Sequence, residues 1–299
     1  MKQSEHELLY KLFRDHEDVI GESKTTILSL ESLITSIKRL KCDKHEIKDQ
    51  VTTLFEIIKN TEPKIMPLIN LVMSIEEESV KNGVFEKASI EEIKKMLIAL
   101  FEKSIARYKN NMENVINNGS ALIHENDLVV VYSASSLVLQ SLVNAKVDRN
   151  INFKVLVLKQ DIIKTKQIIR TLNAVAIPFS VLSQHNLIHY INDASMVLIG
   201  AISVTRDGKF IAAVGTTSVV DISHLQKVPV YLLVDTLKFS HLLCDEHHIH
   251  EKTLKEIHGD VELTYTQFSH DKVQLEYIDK IITEKGAISR EEVENYLHD

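Results

Sequence analysis

Residues 196–240 of the chain, MVLIGAISVTRDGKFIAAVGTTSVVDISHLQKVPVYLLVDTLKFS, decide which fold class the sequence predicts. Two short apolar runs, at residues 196–201 and 230–235, are typical of strands that are covered on both faces of a sheet. Between them lie a further β-rich run, residues 209–214, and a helical stretch, residues 216–227. This alternation of strand and helix predicts right-handed βαβ units and a mostly parallel sheet.

The same alternation continues on both sides of this stretch. It predicts three more strands and three more helices on the N-terminal side, and two closing helices near the end of the chain. The strands are expected at residues 128–133, 153–158 and 179–182, and the helices at residues 136–145, 162–175, 184–191, 277–285 and 290–297.

The first 118 residues have helical character instead. Apolar side chains recur every three or four residues over residues 4–20, 25–41, 44–59 and 64–80. A capping-box pattern, Ser89 with Glu92, then predicts the start of one helix of about 30 residues, or ~45 Å. This helix either connects two domains or packs within a helical core.

These patterns together predict the fold class and two domains. The class is α/β, with an N-terminal helical domain followed by a Rossmann-like, mostly parallel sheet flanked by helices. The helical domain is expected over residues 1–118, ending in the long connecting helix, and the Rossmann-like domain over residues 119–299.

Composition excludes several functional classes. The chain has 8 glycines, and none of them forms a G-x-G-x-x-G or P-loop motif, so no nucleotide cofactor of those kinds is expected. Its net charge of −7 is unlike that of duplex-binding modules, which predicts no direct nucleic-acid partner. Its apolar runs are far shorter than the roughly 20 residues of a membrane span. The polar N-terminal sequence and two cysteines predict a cytoplasmic protein without a signal peptide.

Two junctions between a predicted strand and a predicted helix are candidate anion sites. Their hydroxyl groups and the free N–H groups of a helix N-terminus could hold a phosphate, although a helix cap needs the same residue types. Neither junction contains Cys, His, Asp or Glu, and the nearest basic residues, Arg206 and Lys238, belong to other loops. The candidate residues are Ser133, Ser135 and Ser136 at the first junction, and Gly215, Thr216 and Thr217 at the second.

A histidine-rich stretch, residues 239–258, is a third candidate site. It contains five histidines beside Cys244 and Asp245. A zinc site needs two pairs of ligands at fixed spacing, whereas a histidine-rich polar connection after the last core strand is more often a solvated loop. We therefore expect no metal here.

Several motifs, in order, resemble one known family. They are 197–201 (a strand ending in Gly-Ala), 214–216 (Val-Gly-Thr), 228–229 (Val-Pro), 238–239 (Lys-Phe) and the segment 271–286. From about residue 25 to residue 299 the chain resembles the alpha, beta and delta regulatory subunits of eukaryotic translation initiation factor 2B. It also resembles their relatives, the aldose-phosphate isomerases that act on methylthioribose phosphate and ribose bisphosphate.

The resemblance also identifies where the chain departs from the isomerases. Their catalytic Cys loop corresponds to residues 132–135, their catalytic Asp to Ile202, their Asn-Lys pair to residues 212–213, and their acid-x-Arg-Pro motif to residues 159–162. Isomerisation needs a proton donor and acceptor, which isoleucine and alanine cannot provide. The resemblance therefore implies a non-enzyme without a cofactor. Gly200, with the two junctions above, would belong to a vestigial sugar-phosphate pocket.

The function implied by the resemblance is that of a non-catalytic regulatory subunit in the guanine-nucleotide exchange factor complex for initiation factor 2. Such a subunit dimerises through its α/β half, assembles with paralogous regulatory subunits and with catalytic subunits, and contributes to sensing of phosphorylated initiation factor 2. Residues 112–115, 123–127 and 200–204 resemble the beta subunit, with alpha as the alternative. The competing hypothesis is a sugar-phosphate or nucleotide-binding protein, or a divergent aldose-phosphate isomerase.

Overall fold

The computed structural model describes residues 21–298, except Pro63, Ala88 and His248. The helix predicted over residues 4–20 lies outside the described residues. Two compact units make up the chain, and the boundary between them falls between Asn111 and Met112. The predicted domain boundary, between residues 118 and 119, lies in the same helix.

The first unit is helical where it is described. Phe55 and Phe101 pack in its core with ring centroids 6.1 Å apart, and Lys59 forms an ion pair of 2.8 Å with Glu76. The predicted helices are confirmed, with ends that differ from the prediction by at most three residues. They are α1 (Glu22–Arg39), α2 (Lys44–Lys59), α3 (Met66–Lys81) and α4 (Ile90–Ser120).

The long helix α4 begins as predicted. The backbone N–H of Ser89 donates to Glu92 Oε2 at 3.2 Å, and the N–H of Glu92 donates to Ser89 Oγ at 3.2 Å. Each side chain thus satisfies a backbone N–H that the first helical turn leaves unbonded. α4 has 31 residues and runs from the first unit into the second.

The second unit contains a seven-stranded sheet and two smaller sheets. Its helices are α5 (Ser136–Val147), α6 (Ile162–Ala174), α7 (Thr216–Leu225) and α8 (Arg290–His298). Its strands are β1 (Leu128–Val131), β2 (Lys154–Lys159), β3 (Phe179–Ser183), β4 (Met196–Gly200), β5 (Ser203–Thr205), β6 (Lys209–Ala213), β7 (Val230–Leu233), β8 (Phe239–Ser240), β9 (Glu251–His258), β10 (Val261–Phe268), β11 (His270–Gln274), β12 (Lys280–Thr283) and β13 (Gly286–Ile288).

The large sheet has the order β13-β12-β7-β4-β1-β2-β3. All of its pairs are parallel except β12 with β13. From β3 to β12 this is the doubly wound strand order, in which the order reverses between β1 and β4. The predicted Rossmann-like, mostly parallel sheet is therefore confirmed.

Alternate residues of β1, and Tyr132 immediately after it, face two separate cores. Val129 and Val131 pack with residues of α5 and α6 such as Leu142, whereas Val130 and Tyr132 pack on the other face. That second core includes residues of α7, α8 and β6. A strand covered on both faces explains the continuous apolar run in the sequence.

One strand belongs to a different sheet from the one predicted. Residues 209–214 were expected in the parallel sheet, but β6 lies in a four-stranded sheet of order β11-β6-β5-β8. Gly208, at φ +70°, permits the tight turn between β5 and β6, so the chain folds back antiparallel instead of crossing over. The N–H of Ile202 extends this pairing by donating to the carbonyl oxygen of Ile211 at 2.8 Å.

The predicted closing helix over residues 277–285 is wrong, whereas α8 is confirmed. Residues 280–283 of the segment predicted as a helix form β12, which pairs in parallel with β7. Ile281, Ile282 and Thr283 are buried there, and β-branched residues favour a buried strand. The helix predicted over residues 184–191 is two 3-10 helices, Gln184–His189 and Ile191–Asp193.

A long hairpin, β9 with β10, was not predicted. Its first strand includes the end of the histidine-rich stretch that we expected to be a loop. None of the described helices is long and apolar enough to span a bilayer.

Candidate functional site

The first predicted junction lies where the strand order reverses, the usual ligand crevice of such sheets. Ser135 is the N-cap of α5, but its side chain caps no backbone N–H. It packs against Gly200, at the end of β4, so closely that a Cβ atom at position 200 would lie 2.2 Å from Ser135 Oγ. The structure therefore joins these two candidate residues and explains the glycine.

The other two serines of this junction are placed differently. Ser133 has a left-handed φ of +75°, and Ser136 is exposed in the first turn of α5. No hydrogen bond within the described part of the chain connects either side chain to another candidate residue.

The second junction is closed by a carboxylate. Gly215 is the N-cap of α7 at φ +93°. Asp271, on β11, accepts hydrogen bonds through one oxygen from the N–H groups of Gly215 (2.9 Å) and Thr217 (3.0 Å). Thr216 turns inward, and its Oγ1 donates to the carbonyl oxygen of Ala213 at 2.5 Å. An anion at this helix N-terminus would have to displace Asp271 and would be repelled by its charge.

Tyr132 connects the two junctions. Its hydroxyl donates to the carbonyl oxygen of Val214 at 2.5 Å and lies 3.3 Å from Gln184 Oε1. Gln184 Nε2 in turn donates to the carbonyl oxygen of Gly215 at 2.8 Å. A Cβ atom at position 215 would lie 2.2 Å from the tyrosine hydroxyl, so these side chains fill the space above the glycine.

Burial raises the pKa of Tyr132, and the negative charges of Asp271 and Asp161 act in the same direction. The hydroxyl is therefore held neutral at physiological pH, as a hydrogen-bond donor and not as a base. Its hydrogen bond to a backbone carbonyl uses the only proton it has.

Lys238 lies closer to the site than the sequence suggested. Its ammonium group donates to the carbonyl oxygen of Ala201, immediately after Gly200, at 2.8 Å. The side chain is only 7% exposed, and Asp235 in the same turn is fully buried. This lysine supports the loop after β4 from inside the protein. Arg206 is exposed elsewhere, on the loop after β5.

An open groove of about 460 Å³ lies beside Asp271. Its basic side chains are already engaged, since Lys272 Nζ pairs with Asp245 at 2.5 Å and His270 Nδ1 lies 3.0 Å from Ser269 Oγ. The groove is lined by Thr217, Ile249, Phe268, His270, Asp271 and Lys272.

The histidine-rich stretch brings no metal ligands together within the described residues, which omit His248. His247 is buried with its Nε2 3.2 Å from Ser240 Oγ, and His241 Nδ1 lies 3.2 Å from the carbonyl oxygen of Leu297. Burial raises the pKa of the Cys244 thiol, which disfavours the thiolate that a metal would need.

Sequence reasoning missed Asp271 and Gln184 as site residues. Asp271 reaches α7 from β11, 56 residues further along the chain, and β11 itself was not predicted. The only signal in the sequence was a carboxylate, Asp271, two residues before a single apolar residue, Val273, which the structure buries. Gln184 directly follows β3, at the carboxyl edge of the sheet where ligands bind.

A model of the initiation factor 2 subunit family matches residues 18–290. The chain belongs to that family. Over 274 residues it is 25% identical to a Pyrococcus horikoshii protein named as eIF-2B subunit 2-like, an alignment that covers 91% of this chain and 92% of the relative. The family resemblance read from the sequence is thereby confirmed.

Solved structures of two kinds share the fold of this initiation factor 2 family chain. A chain of the tetrameric eIF2B-beta2-delta2 complex from C. thermophilum superposes with a TM-score of 0.74 at 18% identity, covering 99% of this chain and 94% of that one. The 5-methylthioribose 1-phosphate isomerase of Pyrococcus horikoshii also gives 0.74, at 16% identity, covering 98% and 86%. Fold similarity alone therefore does not separate subunit from enzyme.

Proposed function

We propose that this chain is a non-catalytic regulatory subunit of the exchange factor for initiation factor 2. It assembles in the cytoplasm with paralogous regulatory subunits and with catalytic subunits, and it contributes to sensing of phosphorylated initiation factor 2. The name of the P. horikoshii relative and the fold of the eIF2B beta–delta complex support this proposal over an unrelated role.

The closed α7 N-terminus is the observation that carries the proposal. The Asp271 carboxylate accepts from the two N–H groups at which a phosphate would bind, and Tyr132 and Gln184 fill the space above Gly215. Ala212, at a position where the isomerases carry a polar residue by resemblance, is buried in the apolar core. A pocket of this composition offers neither an anion site nor a proton-transfer pair.

Two measurements test the proposal together. The tagged chain, purified from its native host under gentle conditions, is expected to bring initiation-factor subunits with it in native mass spectrometry. The purified chain is expected to give no turnover of ribose 1,5-bisphosphate or methylthioribose 1-phosphate. Recovery as a lone monomer, or turnover that is lost in a Ser133→Ala variant, would refute it.

A sugar-phosphate-binding protein or divergent isomerase is the second candidate. The isomerase fold match and the close contact of Ser135 with Gly200 favour it. A ligand at 100 times its dissociation constant stabilises the folded state by about 2.7 kcal/mol, which thermal-shift measurements detect readily. A panel of sugar phosphates and nucleotides without any such shift would eliminate this candidate.

A further inference from the structure

Residues 151–190 form one edge of the large sheet, and their charge is opposite to that of the whole chain. The segment contains β2, α6 and β3, with five lysine or arginine side chains and a single carboxylate, whereas the chain has a net charge of −7. That carboxylate, Asp161, lies 4.0 Å from Lys164 Nζ. The other basic side chains near α6 are exposed and form no ion pair with a described residue; they are Lys159, Lys166 and Arg170.

β3 ends the sheet on this side, because β2 is its only partner among the described strands. The N–H of Val155 donates to the carbonyl oxygen of Pro178 at 2.9 Å. Backbone groups of alternate residues point to opposite sides of a strand, so those of Phe179 and Val181 point away from β2. The sequence of β3, FSVLS, contains neither the charged residues nor the proline that protect an edge against pairing. The edge is therefore open to a further strand.

The helix α6 turns one flank toward this free edge. It connects β2 to β3 and contacts α5, which covers the same face of the sheet on the side of β1. In a right-handed unit the flank of α6 with Lys164 and Thr171 faces α5, and both residues are half-buried. With 3.6 residues per turn, Ile162, Lys166 and Asn173 lie on the opposite flank, and all three are exposed. This outer flank therefore borders the β3 edge.

We propose that the β3 edge and the outer flank of α6 together bind an extended acidic segment of another protein. The segment adds to the large sheet as an eighth strand, bonded to the N–H and C=O groups of Phe179 and Val181. Alternate side chains of an added strand point to the α6 face, where carboxylates pair with Lys166 and Arg170. This surface is separate from the α7 N-terminus. The proposal thus goes beyond the regulatory function, which would stand if this surface bound nothing.

Charge and side-chain type favour this occupant. Lys159 adds a third cation on the α6 face, because Val155 and Val157 of the same strand pack in the core beneath α5 and α6. Ile162 and Val181 are 59% and 40% exposed and offer apolar contacts to an added strand. Single-stranded nucleic acid is the other polyanion that basic surfaces attract, but it binds by stacking its bases on aromatic side chains, and α6 has none.

Fluorescence anisotropy with the full chain tests the proposal. The probe is a labelled, end-blocked peptide of eight residues that alternates glutamate and valine, and the same peptide with lysine in place of glutamate is its control. We expect saturable binding of the glutamate peptide alone. An exposed ion pair contributes up to about 1 kcal/mol, so Lys166→Glu should weaken binding about fivefold or more. Lys154→Glu is the matched control, because it makes the same charge change on the opposite face of β2 and should weaken binding less than twofold.

A second pair of variants tests the added strand itself. Val181→Pro removes an N–H that points away from β2, at an edge position where proline is tolerated, and should abolish saturable binding. Val181→Thr keeps that N–H and should bind like wild type, and circular dichroism confirms that both variants are folded.

Three results would overturn the proposal. The first is no saturable binding of the glutamate peptide up to 1 mM. The second is equal binding by K166E and K154E, or binding that V181P leaves unchanged, since either would indicate charge attraction without strand addition. The third is a labelled oligouridylate that binds more tightly than the peptide and is weakened by K166E, which would make the surface a nucleic-acid site.

Discussion

Removing the carboxylate of Asp271 should lower the free energy of unfolding of the second unit, by an amount that follows from its two hydrogen bonds to α7. One oxygen accepts from Gly215 and Thr217 N–H groups at 2.9 and 3.0 Å. Loss of a helix cap costs about 0.5–2 kcal/mol, and a partly buried charge at a helix N-terminus contributes up to about 2. These contributions overlap, so we expect Asp271→Ala to lower the free energy of unfolding by about 2 kcal/mol. Asp271→Asn should lower it by about 1 kcal/mol, because the amide oxygen of asparagine still accepts hydrogen bonds from the two N–H groups.

Thermal unfolding followed by circular dichroism measures this effect. For a unit of this size 1 kcal/mol corresponds to about 2–4 °C, so we expect Tm to fall by about 4–8 °C in D271A and about half as much in D271N. Asp245→Ala is the control, since it removes an exposed carboxylate that pairs with Lys272 and should cost less than about 0.5 kcal/mol. A D271A variant no less stable than D245A would refute the assignment of Asp271 as the internal anion.

Three further changes test other contacts. Gly200→Ala should cost about 1–3 kcal/mol of stability, because its Cβ would lie 2.2 Å from Ser135 Oγ, and a Ser135→Gly change should restore most of the loss in urea titrations. Because the pKa of Tyr132 is higher in the folded than in the unfolded chain, the free energy of unfolding is unaffected below about pH 10 and falls as pH rises above it. Above pH 10, wild-type stability should therefore fall more steeply with pH than that of Tyr132→Phe. Parallel curves for the two proteins would contradict this. Ser89→Ala should cost about 1 kcal/mol by opening the capping box of α4, and an unchanged urea midpoint would show that the cap contributes nothing.

The elements whose structure depends mainly on neighbouring residues in the chain could be predicted from the sequence. α4 is set by a cap at Ser89 and by apolar side chains repeating along one face, both of which are contained in adjacent residues. The central strands are buried on both faces, so their apolar runs identify them without knowledge of their neighbours.

The elements that depend on distant partners could not. Residues 280–283 form a strand because β7 offers them an edge, although their spacing also fits a helix. β6 has the composition of a central strand, but the turn at Gly208 sends it into a second sheet. The exposed β10 has no core to impose a period, so its alternation carries no burial signal.

The same distinction explains the candidate site. The sequence located both junctions, and the structure brings them together through Tyr132. The sequence could not show that Asp271 supplies the negative charge at the α7 N-terminus, because that contact spans 56 residues and depends on β11. A helix N-terminus whose N–H groups are bonded to its own chain gains little from an external phosphate. The contacts with other subunits that the proposed function requires must then come from surfaces outside this pocket.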